Sequence, residues 1–263
     1  SIESREGSIN VIVDGGTYDF IVGGGRASTG ALVKVGTTNI TVTGDTTVNK
    51  AIFGANMALT NEDSVNTSAN NTNIVIDGSA DLKIDAIYGG AFRRGAVAYG
   101  TSISFVNCDA TDKFGTISGD SESANGSISY VGGNRILNVK DSVLVAGDIS
   151  FFDVVELNGA TASATTFNLD DVSEWNLTFN GMDTFFDFGA GSIDFNGDSL
   201  NLTTFTDGSV IFKGNFSAFD SIDDLGFASV SFFKKDDEGN SVRIDGFELS
   251  FNEDKSAILV QLA

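Results

Sequence analysis

The chain has 263 residues, no Pro and no His, one Cys, and 36 acidic against 15 basic side chains, a net charge of −21. Without His, imidazole acid–base catalysis and imidazole metal ligation are excluded, and so acidic a surface repels nucleic acid and anionic lipid. The lone Cys108 makes no internal disulfide, and no apolar run reaches the ~18 residues of a membrane span.

From the start of the chain, two motifs recur in phase. The first is an alternating apolar strand closed by Gly: Val11-Ile12-Val13-Asp14-Gly15, Ile40-Thr41-Val42-Thr43-Gly44 and Ile74-Val75-Ile76-Asp77-Gly78. The second lies downstream of it: Ile21-Val22-Gly23-Gly24, Ile52-Phe53-Gly54-Ala55, Ile87-Tyr88-Gly89-Gly90 and Ile117-Ser118-Gly119-Asp120. A third strand recurs at 31–36, 96–100 and 127–132. Repetition at about thirty residues signals coils that bury their cores against one another. The alternation predicts that Val11, Val13, Ile21, Ile40, Val42, Ile52, Ile74, Ile76, Ile87 and Ile117 point inward in columns. The absence of Pro suits interior strands and Gly/Asn/Asp turns. The polar run Asn61 to Asn73, like Asp120 to Gly126, reads as a loop that lengthens one coil.

From Val155 the character changes. Phe becomes dense, and Phe179-Asn180-Gly181, Phe195-Asn196-Gly197 and Phe212-Lys213-Gly214 recur at half the earlier period. Two such units would keep the coil circumference constant, giving about eight coils, with Phe rings stacked to fill the interior. The end carries a charged turn over Lys234 to Asn240, then strands Val242 to Phe251 and Ala257 to Leu262 around an Asn252-Glu253-Asp254 turn. The expectation is an all-β parallel β-helix, or β-solenoid, with a C-terminal capping β-hairpin. It forms one domain over 1–263: coils at 8–154, Phe-rich coils at 155–240, and a cap or assembly edge at 241–263. Beginning at Ser1, the chain reads as a processed protein or an excised region.

The Val-x-Val-x-Gly and Ile-Phe/Tyr-Gly-Gly strands with their Asn/Thr/Ser/Gly turns resemble the β-helical repeats of bacterial surface proteins, autotransporter-passenger-like and "IYGG"-repeat adhesin-type proteins. The resemblance covers Ser8 to Gly133 best. It implies a right-handed parallel β-helix, an extracellular or cell-surface setting and an adhesive or structural role.

For function, the expectation is a non-catalytic extracellular β-solenoid of a surface layer, fibre or adhesin. Its partners would be a surface receptor or glycan, or copies of itself joined head to tail. The assembly edges would be Ile9, Val11 and Val13 at one end and Ile258, Val260 and Leu262 at the other. The alternative is a carbohydrate-active enzyme, a polysaccharide lyase or glycoside hydrolase. Its candidate base would be Arg93-Arg94, read otherwise as an exposed solvated turn; the candidate carboxylates are Asp170-Asp171, Glu174 and Asp183. No organic cofactor is called for. Calcium is the one cation the chain suits, at Asp220, Asp223 and Asp224 or at Asp236, Asp237 and Glu238, each cluster being read alternatively as a solvated turn. Cys108 reads as a buried structural residue. Thr37-Thr38 and Thr41-Val42-Thr43 do not repeat as an ice-binding face would, and the seven Asn-x-Ser/Thr sequons, Asn39 and Asn176 among them, reflect composition.

Overall fold

A computed structural model describes residues 2–3, 7–28, 31–60, 66–79, 81–122, 129–191 and 193–263. Among these the protein is all-β, with a large, mostly parallel sheet and one 3-10 turn, Ile222–Leu225. The first strands are β1 (Ile2–Glu3), β2 (Ser8–Val22), β3 (Arg26–Ala27), β4 (Leu32–Phe53), β5 (Met57–Ala58), β6 (Asn66–Asp77), β7 (Lys83–Tyr88), β8 (Gly95–Val106) and β9 (Lys113–Ser118). The middle holds β10 (Ser129–Val131), β11 (Asn134–Lys140), β12 (Val143–Ser150), β13 (Val154–Asn158), β14 (Thr161–Asn168), β15 (Glu174–Thr178) and β16 (Phe185–Asp187). The end comprises β17 (Ser199–Thr203), β18 (Val210–Lys213), β19 (Ser229–Lys235), β20 (Ser241–Ile244), β21 (Phe247–Phe251) and β22 (Ala257–Leu262).

Two parallel ladders organise these strands. In the first, Val11 pairs with Ile40, Ile40 with Ile74, Ile74 with Ile103 and Ile103 with Leu137, each step matching the period of the sequence motifs. In the second, Ile21, Ile52, Ile87, Ile117, Ile149 and Phe167 stand in one row. Both rows point into a single apolar cluster that runs from Val13 to Val260, with Val11 packed against it. Every inward residue predicted from the alternation lies in this cluster or against it, because strands stacked in register bring like side chains together.

The polar run is not a loop throughout: Asn66 to Asn73 lies within β6, while positions 61–65, and 123–126 of the second run, fall outside the described residues. Several polar side chains of this strand find partners. The Thr67 hydroxyl donates to the Arg94 carbonyl at 2.8 Å, and Asn73 donates to Asn39, which donates to Asn10, both at 2.9 Å. Asn39 and Asn176 are thus members of inter-strand amide ladders, Asn176 accepting from Asn201 at 2.9 Å.

Thr38, Thr72 and Thr101 form a buried row of their own, aligned strand to strand. Their hydroxyls donate to the carbonyls of Gly54, Gly89 and Gly119 at 2.5, 2.6 and 2.6 Å. This contact explains the Gly of the second motif. A Cβ on Gly54 would lie 2.2 Å from the Gly89 carbonyl oxygen and 2.9 Å from the Thr72 Cβ, so the demand is for room rather than for a left-handed backbone.

After β11 the repeat shortens. Leu137 pairs with Val155, Val155 with Trp175, Trp175 with Leu200 and Leu200 with Val230. The first of these steps is little over half as long as the one before it, and the steps lengthen again toward Val230. A constant circumference is therefore not kept, and the first ladder has nine strands among the described residues, from β2 to β19, in place of about eight coils. The Phe-x-Gly spacing is not the register either. Phe179 follows β15, Phe195 precedes β17 and Phe212 lies within β18, where its partner is Phe186. The Phe interior is organised around Trp175, which meets Phe186, Phe195 and Phe212 edge-on at 78°, 73° and 85°. Edge-to-face contact sets positive ring edges against negative faces, so most of these rings do not stack as expected. The Trp175 indole N–H donates to Asp198 at 2.9 Å.

Arg135 marks the point of contraction. It pairs with Thr101 and so takes the next place in the threonine row. Its guanidinium grips Asp153 through Nε at 2.8 Å and Nη2 at 2.7 Å, and reaches Asp171 at 3.0 Å. The Arg135 side chain is 14% exposed and Asp153 23%. Burial alone would raise the Asp153 carboxyl, but the hydrogen bonds and charge of Arg135 hold it below its ordinary value.

Substitutions along this row of Thr, Gly and Arg have distinct expected costs. Gly54→Ala should cost about 3 kcal/mol by overpacking, and Thr72→Val about 1–2 kcal/mol because it strips a buried carbonyl of its donor. Urea unfolding read by Trp175 fluorescence gives both, and a milder effect for Gly54→Ala would contradict the steric account. Arg135→Met should cost about 3 kcal/mol at pH 7, since it leaves Asp153 half-buried without its cation. A carboxyl with a depressed folded pKa contributes its stability above the ordinary value near ~4 and loses it as pH falls through the lower folded value. The penalty should therefore shrink as pH falls below about 4; a pH-independent penalty would reduce Arg135 to packing.

Candidate functional site

The outward positions of the second ladder build a groove. One residue before each inward Ile stand Phe20, Ala51, Ala86, Thr116 and Asp148, with Thr166 next in the row. Ala51, Phe53, Met57 and Ala86 form a small apolar cluster separate from the main core, with Tyr88 and Phe92 against it. It carries a stack of rings: Phe20 on Phe53 at 6.3 Å and Phe53 on Tyr88 at 5.4 Å, with planes within 25° and 13°. Beside the rings Gly115 and Gly147 leave an open channel of about 670 Å³. Gly115 has no room for a side chain, because its Cβ would lie 2.0 Å from the Asp85 carbonyl oxygen.

Three carboxylates line this channel: Asp85, Glu122 and Asp148. Asp148 is held by the Ser150 hydroxyl at 2.9 Å and the Thr166 hydroxyl at 2.7 Å. Burial raises the Glu122 carboxyl, opposed by the charge of Arg93. The Tyr88 phenol is pushed up to about 12 by burial and then by Glu122, Asp148 and Asp85, so it stays a neutral donor at physiological pH. At the opposite end Lys50 pairs with Asp19 at 3.7 Å and sits 5.1 Å from the Phe20 ring centroid.

The sequence-selected residues lie elsewhere or in other roles. Arg93 and Arg94 are half-buried rather than solvated. The Arg93 guanidinium donates to the Leu59 carbonyl and lies 4.8 Å from the Phe92 ring, while its backbone N–H donates to the Glu122 carbonyl. Asp171 is tied to Arg135, and Glu174 accepts from Asn176. Asp224 accepts from the Ser221 backbone at 2.7 Å, and Asp236 from the backbone of Asn240 and Glu238 at 2.7 and 3.0 Å. Those hydrogen bonds hold both carboxyls low. No cluster of three metal-ligating side chains occurs among the described residues, so Asp220, Asp223 and Asp224 do not converge on a point, nor do Asp236, Asp237 and Glu238. Cys108 is buried, its thiol pushed up to about 12 by burial and by Asp112.

At the ends, Ile9, Val11 and Val13 lie on β2, which is bonded to β4 on one side and to no other strand among the described residues. Ile258, Val260 and Leu262 lie on β22, which is bonded antiparallel to both β18 and β21. Up to Val260 that strand is paired on both sides, and the free edge at this end belongs to β21, bonded to β22 alone among the described residues.

Sequence reading missed Asp85, Glu122 and Asp148 because they belong to different repeats and share no motif. The signal was the small residue ahead of two of the motif Ile residues, Ala51 and Ala86, where Phe20 and Thr116 stand ahead of the other two. No helix among the described residues is long and apolar enough to cross a membrane. The chain matches no protein-family model, no curated protein and no solved structure.

Proposed function

We propose that the chain is a closed β-solenoid acting outside the cell as a non-catalytic structural or adhesive module of a surface layer, fibre or adhesin. The observation that carries this reading is the in-register stacking of both ladders, in which the repeated Ile, Thr and Gly positions serve the core and none is free for chemistry. The net charge of −21 suits a surface-displayed module that resists nonspecific association. Self-association belongs to the β2 edge, because β22 is bonded on both sides up to Val260. Along β2, Ile12 is 76% exposed beside backbone groups that pair on one side only, a surface open to a strand from another copy. Sedimentation should reveal concentration-dependent association that Ile12→Lys abolishes while β-circular dichroism is kept. A protein monomeric at all concentrations rejects this edge as the partner surface.

The alternative, a carbohydrate-active enzyme on the same scaffold, draws on the groove, where half-buried Glu122 could donate a proton opposite the fixed Asp148. Incubation with acidic and neutral polysaccharides separates the readings. No turnover is expected, and turnover lost in Glu122→Gln would replace the structural reading with the enzymatic one.

A further inference from the structure

The groove carries its own inference, and only its non-catalytic aspect rests on the function proposed above. Its features are unlike those of the acidic turns, whose carboxylates are bonded to their own backbones. Here three carboxylates face a common channel, and the nearest lysine, Lys50, is engaged by Asp19 and Phe20. Charge complementarity therefore asks for a cationic occupant. Phe20 is 40% exposed and, with Tyr88 beyond the buried Phe53, gives the channel an aromatic wall, a surface that favours apolar sugar faces and cations.

From Phe20 to Thr166 the row crosses five rung spacings, about 24 Å at ~4.8 Å each, the reach of a short linear polymer rather than of one ring. An extended peptide fits poorly. It binds by adding to free backbone edges, whereas the strands under the groove are bonded to neighbours on both sides from β4 to β12. What remains on offer is the rings of Phe20 and Tyr88, carboxylates and the hydroxyls of Thr116 and Thr166. A sugar bearing free amines answers each of these: its ring face stacks, its hydroxyls bond, and its ammonium groups form charge-assisted hydrogen bonds.

We propose that this groove binds a linear oligosaccharide of amine-bearing sugars, with ring faces against Phe20 and Tyr88 and ammonium groups at Asp85, Glu122 and Asp148. Glu122 gains most, because burial raises its carboxyl and Arg93 only partly offsets that. Uronate polymers are repelled by the same carboxylates.

Calorimetric titration of the full chain at physiological salt tests this. The probes are a β-1,4-linked glucosamine hexamer, its N-acetylated counterpart, an oligogalacturonate of equal length, and hexalysine. The glucosamine hexamer should bind at least about tenfold more tightly than the acetylated sugar or hexalysine, and the uronate should not bind. Phe20→Ala and Asp148→Asn should each weaken binding about tenfold with circular dichroism unchanged, while Asp236→Asn, in the distant hairpin, should leave it intact. Equal binding of hexalysine would make the groove a general cation or basic-peptide surface and overturn the proposal. So would absence of binding, or affinity unaltered in Phe20→Ala and Asp148→Asn. Product analysis keeps the two readings apart: a bound sugar left intact agrees with both, cleavage sinks only the non-catalytic reading, and no binding sinks only the site.

Discussion

A single crossing contact, a threonine hydroxyl donated to a glycine carbonyl in three successive repeats, sets the dimensions of the first half of the molecule. Thr38, Thr72 and Thr101 each make it, and the row lies between the large apolar cluster and a smaller one holding Val33, Val35, Ala55, Ala58, Ala69, Ala91 and Val97. The contact satisfies a carbonyl that would otherwise be buried bare, and an unmet polar group there costs as much as several methyl groups gain. It also forbids any side chain at the facing glycine. The Ile and Val columns provide most of the burial, but they would tolerate several spacings between the two sides. The threonine–glycine pair tolerates one.

The contraction after β11 is then a change of occupant in this row. Once Arg135 takes the threonine's place, the next rung has no third segment to bond. The guanidinium instead turns to Asp153 and Asp171, carboxylates of the two shorter rungs that follow. Apolar filling changes with it, from β-branched columns to aromatic rings packed edge-on around Trp175. Large rings suit a narrower interior, because a few of them cover the cross-section at native density.

Much of the first half was legible because alternation and phase are both visible in one chain. The motif intervals are the register itself: Val11 to Ile40 and Ile40 to Ile74 are true partners. Alternation fails at Asn66 to Asn73, where polarity suggested a loop, since a threonine bonded inside a coil and one exposed in a turn look alike in sequence. In the Phe-rich half a regular spacing was present and misleading, because Phe179 and Phe195 sit beside strands and only Phe212 within one. The groove was the least legible part. Asp85, Glu122 and Asp148 become neighbours only once the second ladder is stacked, and the small Ala51 and Ala86 beside them carry no chemical signature.

The two ends of the sheet differ in a way that bears on how such a chain lengthens. Every rung up to β19 in the first ladder runs in one direction, so a duplicated repeat inserted among them finds the same donors and acceptors above and below. β20 and β22 run the other way. A reversed strand presents an antiparallel hydrogen-bond pattern to whatever follows, and a further parallel coil has nothing in register to grow on. Duplication is accommodated most simply ahead of this reversal, among strands that share one direction.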